Sequence, residues 1–78
     1  MSTHIVCVLA IGGLDPSGGG GLPADARAIA AFGAHPCLVT TAVIAQNTQG
    51  VQKTEAVSGE MLRAQLQTLS DDIEISAI

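Results

Sequence analysis

Seventy-eight residues with a formal net charge of −4 leave room for one small domain, near the lower end of what folds alone. Arg27, Lys53 and Arg63 are the only cationic side chains besides the histidines, and Phe32 is the only aromatic one. There is therefore no basic patch or stacking platform for nucleic acid, and no apolar run approaches the ~20 residues of a membrane span.

With 47% hydrophobic and 13% charged residues and a mean hydropathy of +0.45, the chain is unusually apolar for its size. That balance suits parallel strands covered on both faces within a larger structure. The start, Met1-Ser2-Thr3-His4, lacks the basic region of a signal peptide, so the expected location is the cytoplasm. Cys7 and Cys37 lie inside apolar runs and are expected to be buried reduced thiols. His4 and His35 have no partner at metal-ligand spacing and read as surface or strand-edge residues; no metal site is expected.

In chain order, Ile5 to Ile11 is a short apolar run rich in β-branched residues, predicting a buried strand. Six of the nine glycines follow between Gly12 and Gly21. Such a tract loses much backbone entropy on folding, so it is either a flexible turn or a place where backbone must approach another group. A helix is predicted from Pro23 to Phe32, with Pro23 in its first turn, Leu22, Ala26, Ile29 and Phe32 as its buried stripe, and Gly33 as its C′ residue.

Pro36 opens a second buried strand over Cys37–Ile44, and the polar stretch 45–50 reads as the loop at its end. Val51 to Val57 holds a short extended piece, and Ser58 caps a second helix from Gly59 to about Ser70. Met61, Leu62, Leu66 and Leu69 recur at helical spacing as core, while Asp71 and Asp72 are solvated. Glu74–Ile78 reads as a strand just beginning, without a turn or cap after it, which suggests the N-terminal part of a longer chain. Its unpaired edge would favour association, and a homodimer is one form this could take. The order β-α-β-(β)-α-β indicates an α/β fold with a mostly parallel sheet, whose ligands bind at the C-terminal strand ends. Residues 12–22 and 45–50 both follow strands, so they converge at that end.

Three ligand readings compete there. A P-loop needs Gly-Lys-Ser/Thr, but the glycines run into Leu22-Pro23-Ala24 and no lysine precedes Lys53. Gly19 to Ala24 formally matches a dinucleotide fingerprint, but too far from the strand end, and Ala45-Gln46 stands where an acidic ribose ligand belongs. The third is a small-molecule kinase. Asp15-Pro16-Ser17-Gly18-Gly19-Gly20-Gly21-Leu22-Pro23-Ala24-Asp25, followed by Thr40-Thr41-Ala42-Val43-Ile44-Ala45-Gln46-Asn47-Thr48-Gln49-Gly50-Val51, resembles the hydroxymethylpyrimidine/phosphomethylpyrimidine kinases of thiamine biosynthesis. Against the family pattern, Leu14 replaces a hydroxyl residue, Gly20 an alanine and Pro23 a glutamine.

The resemblance implies a ribokinase-like three-layer α/β fold, with residues 1–78 as the N-terminal β-α-β-α-β part of a single kinase domain. It implies transfer of the ATP γ-phosphoryl, with Mg2+, to an aminopyrimidine's hydroxymethyl oxygen and then to the monophosphate. By resemblance Gln46 binds the pyrimidine, since a carboxamide complements a ring nitrogen beside an exocyclic amine. A solvated loop glutamine is the alternative. Asp25 is implied in the substrate pocket, or else only favours the start of its helix. Asp15 either joins the pocket or organises the loop through side-chain-to-backbone hydrogen bonds, and Gly13 and Gly20 let backbone approach the ring. Thr40, Thr41, Cys7 and Cys37 read as structural. In the family the base and anion hole lie further along in a glycine-rich segment, so no catalytic residue is expected in this chain, and alone it is expected not to catalyse. A pyridoxal kinase of the same superfamily and a non-catalytic fragment are the alternatives.

Overall fold

A computed structural model describes residues 5–78; His4 and the leader reading of Met1 to His4 lie outside them. The elements run β1 (Cys7–Leu14), α1 (Gly21–Ala31), β2 (His35–Asn47), β3 (Gly50–Ala56) and α2 (Gly59–Asp72). The sheet order is β1-β2-β3. β1 and β2 are parallel, from Cys7 opposite His35 to Leu14 opposite Val43. β3 turns back antiparallel to β2. The segment after α2 reaches the other edge of β1, where Ser76 N–H donates to Cys7 O at 2.8 Å and Leu9 N–H to Ala77 O at 2.8 Å. The strand expected to begin at Glu74 is thus present as a parallel bridge between Val8 and Ala77.

Alternation along β1 divides the two faces. Cys7 and Leu9 point to one, where they join Cys37 and Val39 in a buried cluster covered by Leu62, Leu69, Ile73 and Ile75. Gly12 points to the other, toward Leu22 of α1, which is 3% exposed. Cys7 and Cys37 are buried and free, as expected. Burial, with the neighbouring Cys7 adding to it, pushes the Cys37 thiol above its ordinary range, so it is poorly reactive. His35 is exposed at the start of β2.

Local signals set most of the boundaries. Gly33 sits at φ +81°, its N–H bonded to Ala30 O at 2.9 Å and that of Ala34 to Ile29 O at 3.2 Å. That pair of bonds is a Schellman C-terminus. The Ser58 hydroxyl accepts from Met61 N–H at 3.0 Å, the expected N-cap. α2 runs on to Asp72, slightly beyond the predicted end, and Asp71 and Asp72 are exposed.

Three expectations change. α1 starts at Gly21 rather than Pro23, which leaves Pro23 in the first turn, where its missing N–H costs nothing. Phe32 is 91% exposed instead of completing the stripe. At ~100° per residue it lies about 80° round the helix from Leu22, beyond the edge of the face that meets the sheet. On α2, Leu62 and Leu69 pack on the core while Met61 and Leu66 stay exposed, because seven-residue spacing aligns the first pair and leaves the others on the flanks.

The stretch 45–50 is also not a loop. β2 continues to Asn47, β3 starts at Gly50, and only Thr48 and Gln49 turn, with Asn47 Oδ1 accepting from Gln49 N–H at 2.8 Å. Its polar residues follow from exposure on a projecting hairpin, not from irregular backbone.

Replacing the α2 cap tests this local account. Ser58→Ala should lower unfolding free energy by about 1 kcal/mol, read from urea denaturation followed by far-UV circular dichroism.

Candidate functional site at the C-terminal end of the parallel strands

The site is built on one turn of chain between β1 and α1. β1 ends at Leu14, and Asp15 is buried immediately beyond it, 6% exposed. Its Oδ1 accepts from Ser17 N–H at 2.9 Å and from the Ser17 hydroxyl at 2.7 Å, and its Oδ2 accepts from Gly20 N–H at 2.9 Å. Pro16 cannot donate, so the carboxylate collects the next available donors and closes the turn. These bonds, the Ser17 hydroxyl first, hold the Asp15 carboxyl below the usual carboxylate range against an opposing effect of burial. The loop-organising role weighed for Asp15 is therefore observed in its contacts.

Gly20 is the N-cap of α1 and has no side chain to satisfy the helix start. Asp15, just beyond β1, accepts from the Gly20 N–H itself and places a negative charge where the helix dipole favours one. An added Cβ on Gly20 would lie 3.5 Å from Asp15 Oδ2, an ordinary contact. Gly21 is the tighter position: it sits at φ +57°, and an added Cβ would overlap the Gly13 carbonyl oxygen. On Gly13 an added Cβ would come within 2.8 Å of Ile44 Cδ1. Gly13, Asp15, Gly20 and Gly21 thus form one assembly, in which strand end and helix start meet through backbone. Arg27 closes its outer side, its Nη2 donating to Gly18 O.

Gln46 and Asp25 flank this assembly. β1 stops opposite Val43, and β2 continues to Asn47, so Gln46 overhangs the end of β1 by about 10 Å of strand. Its side chain is half-buried. Asp25 is exposed and lies one turn after Gly21 on α1. Because the helix starts at Gly21, Asp25 falls outside its first turn, and the helix-start role considered for it does not hold. No described hydrogen bond joins Gln46 or Asp25 to the loop. Among the residues sequence reasoning passed over, Gly21 has the strongest geometric requirement. A glycine at the last position of a tract that runs into a helix was the available signal. A groove of about 330 Å³ lies elsewhere, along α2 between Leu38, Met61, Gln65 and Leu69.

This arrangement disfavours a phosphate at Gly20, the N-cap of α1. The donor a phosphate would use at Gly20 is already bonded to a carboxylate, whose charge would repel it. The described residues also offer no ready-made protein cage for a metal ion. They hold no group of three or more His, Cys, Asp and Glu side chains able to bind one, and both Asp15 oxygens are engaged within the loop.

A parallel βαβ unit with a glycine-rich first turn and an antiparallel hairpin overhanging it is the opening of a ribokinase-like α/β kinase. The phosphomethylpyrimidine kinase family model matches residues 15–78, and the chain belongs to that family. It is 45% identical over 67 residues to the hydroxymethylpyrimidine/phosphomethylpyrimidine kinase of Escherichia coli K12, covering 86% of this chain and 25% of that one. It is 44% identical over 71 residues to a probable thiamine biosynthetic bifunctional enzyme of rice chloroplasts, covering 91% of this chain and 13% of that one. Among solved structures, the phosphomethylpyrimidine kinase of Clostridium difficile 630 superposes with a TM-score of 0.85 at 36% identity, covering 90% of this chain and 30% of that one. A Bacillus subtilis pyridoxal kinase superposes at 0.78 with 26% identity, covering 92% of this chain and 29% of that one. The chain spans about a quarter of the length of the bacterial curated relatives it matches.

Two substitutions separate the roles of the glycines. Gly21→Ala forces a side chain into the left-handed region against a carbonyl and should cost more than about 2 kcal/mol. Gly19→Ala, which would meet only Ser17 Oγ at 3.6 Å, should stay within about 0.5 kcal/mol. Thermal unfolding of both variants checks the contrast.

Asp15 makes a prediction in pH. Its carboxyl is depressed in the folded state, so its contribution is complete above the unfolded value of about 4 and disappears as pH falls through the folded value. Asp15→Asn should be less stable at neutral pH and should lose part of the acid-induced decline. Paired denaturation curves between about pH 7 and pH 2 would show this as converging midpoints.

Proposed function

We propose that this chain forms the substrate-binding part of an ATP- and Mg2+-dependent kinase acting on 4-amino-5-hydroxymethyl-2-methylpyrimidine, and then on its monophosphate, in thiamine biosynthesis. The kinase works in the cytoplasm. The observation that carries this reading is the family match over residues 15–78, which spans both the glycine turn and the overhanging Gln46. The ATP and its metal would supply the phosphoryl group and charge neutralisation from outside these residues.

In this role Gln46 pairs through its carboxamide with the ring nitrogen and exocyclic amine of the pyrimidine. Gly13 and Gly20 keep the floor of the site free of side chains, and Asp15 holds that floor rigid by closing the turn. Asp25 lines the outer rim from α1. The chain orients the ring, and transfer is completed by groups beyond it, so the 78 residues alone bind without turnover.

The test is ATP-dependent phosphorylation of the hydroxymethylpyrimidine and of pyridoxal, by the enzyme comprising this chain and by the 78-residue form. Turnover of the pyrimidine by the larger form alone is expected. Activity on pyridoxal alone would replace the pyrimidine reading, and turnover by the short form would end the division of labour. Gln46→Ala should raise the pyrimidine KM by about tenfold or more, since a lost pair of hydrogen bonds of this kind is worth about 1–3 kcal/mol. An unchanged KM would remove Gln46 from the site.

A further inference from the structure

The parallel ladder between β1 and β2 slips by one residue just before the site. Gly12 pairs with Thr40 and Gly13 with Ala42, leaving Thr41 without a partner on β1. Such a slip sends every later side chain to the opposite face. Gly13 therefore shares a face with Ala42 and Ile44, and the contact between Ile44 Cδ1 and the Cβ position of Gly13 is its direct sign. A second slip, between Ala45 and Gln46, has its extra residue, Gln52, on β3, so the alternation of β2 carries Gln46 to that same face. Without the bulge, Gln46 would lie on the face of Gly12, beside α1.

On the other edge of β2, the ladder to β3 reaches only to Ala42 opposite Ala56, with one further bond from Val57 N–H to Thr41 O at 2.9 Å. Thr40 comes next and has no strand residue beside it. Gln65 of α2 fills the place. Its Oε1 accepts from Thr40 N–H at 3.0 Å, and its Nε2 donates to Thr40 O at 2.9 Å. A carboxamide carries the same donor and acceptor as a peptide unit, so it serves as one more rung of the sheet. The Thr40 hydroxyl then donates to Ala42 O at 3.0 Å, spanning the bulged Thr41. Gln65, Thr40 and Ala42 are one chain of hydrogen bonds fixed across the slip.

We propose that Gln65 is a positioning residue for the pyrimidine site: by holding both backbone groups of Thr40 it maintains the Thr41 bulge and so keeps Gln46 on the face of Gly13. This rests on the reading of Gln46 given above. Gln65 touches no substrate and acts through the register of β2.

The experiment compares Gln65→Leu, which removes both bonds, with Gln65→Glu, which keeps the shape and the acceptor but lacks the donor when ionised. In the enzyme comprising this chain, both should raise the pyrimidine KM, by about fivefold for the loss of one or two ordinary hydrogen bonds. The KM for ATP and kcat should stay within about twofold, a split that general destabilisation would not give. Register is read independently by NMR, as the nuclear Overhauser effect between Gly13 Hα and the Ile44 δ1 methyl and the exchange protection of the Thr40 amide. Both should weaken in the variants. If Gln65→Leu does not fold, Gln65→Glu decides. An unchanged pyrimidine KM with the Gly13–Ile44 effect intact overturns the proposal, as does an equal rise in both KM values. Gln46→Ala is measured alongside. If it leaves the pyrimidine KM unchanged, the reading of Gln46 fails, and the NMR signals alone decide whether Gln65 holds the register.

Discussion

The functional end of this molecule depends on one close approach of backbone to backbone, Gly21 against the carbonyl of Gly13. A parallel strand followed at once by a helix must reverse direction in few residues, and here the helix start rests on the strand end. Any side chain at Gly21 would hold the two apart. The four-glycine run is costly in unfolded-state entropy, yet its members are not equivalent. Gly21 meets a steric limit and Gly18 a positive φ, whereas Gly19 faces only the Ser17 hydroxyl. Asp15 then locks what the glycines permit, exchanging the freedom of the loop for charge-assisted hydrogen bonds.

The same carboxylate settles the electrostatics of the loop. A helix start with free N–H groups would attract phosphate, and glycine-rich turns are often read that way. In this chain the anion is built in. Asp15 occupies the helix start from outside the helix, while Asp25, which sequence spacing put in the first turn, lies past it. The loop consequently carries an ionised carboxylate held by three internal donors, which disfavours a second anion at the helix start.

What the sequence made legible was what is decided locally. The Gly33 terminus and the Ser58 cap each follow from chemistry within a few residues and are found where expected. The two apolar runs do form strands, but these run on past the expected ends, to Leu14 and Asn47, and leave Ile5, Val6, Ile11, Leu38 and Val43 exposed. The two motifs, Asp15–Asp25 and Thr40–Val51, also carry the family, whose model matches residues 15–78. What escaped was decided by distant pairing. Nothing in Val51 to Ala56 announces that the strand runs antiparallel, and the polar residues 45–50 look the same in a loop as in an exposed hairpin. The bulge beside Thr41 adjoins a contact with Gln65, distant along the chain, so no window of sequence could reveal it. Phe32 departs from the expected stripe for a related reason: periodicity says which residues share a face, but not how wide the covered stripe is.

The half-buried position of Gln46 bears on selectivity within the proposed role. A site that hydrogen-bonds a substrate group rejects an analogue lacking it strongly only when its own polar atoms are then left buried and unpaired. On a hairpin that overhangs the strand end, water can replace the missing partner, and the penalty for a ring without the exocyclic amine becomes small. Strong preference for an aminopyrimidine over a pyridine therefore requires that something close over the hairpin tip when the substrate binds. Val51, paired with Gln46 across the hairpin and 56% exposed, offers an apolar surface for such closure. Selectivity between the two rings is then a property of how completely Gln46 is dried, rather than of the carboxamide itself.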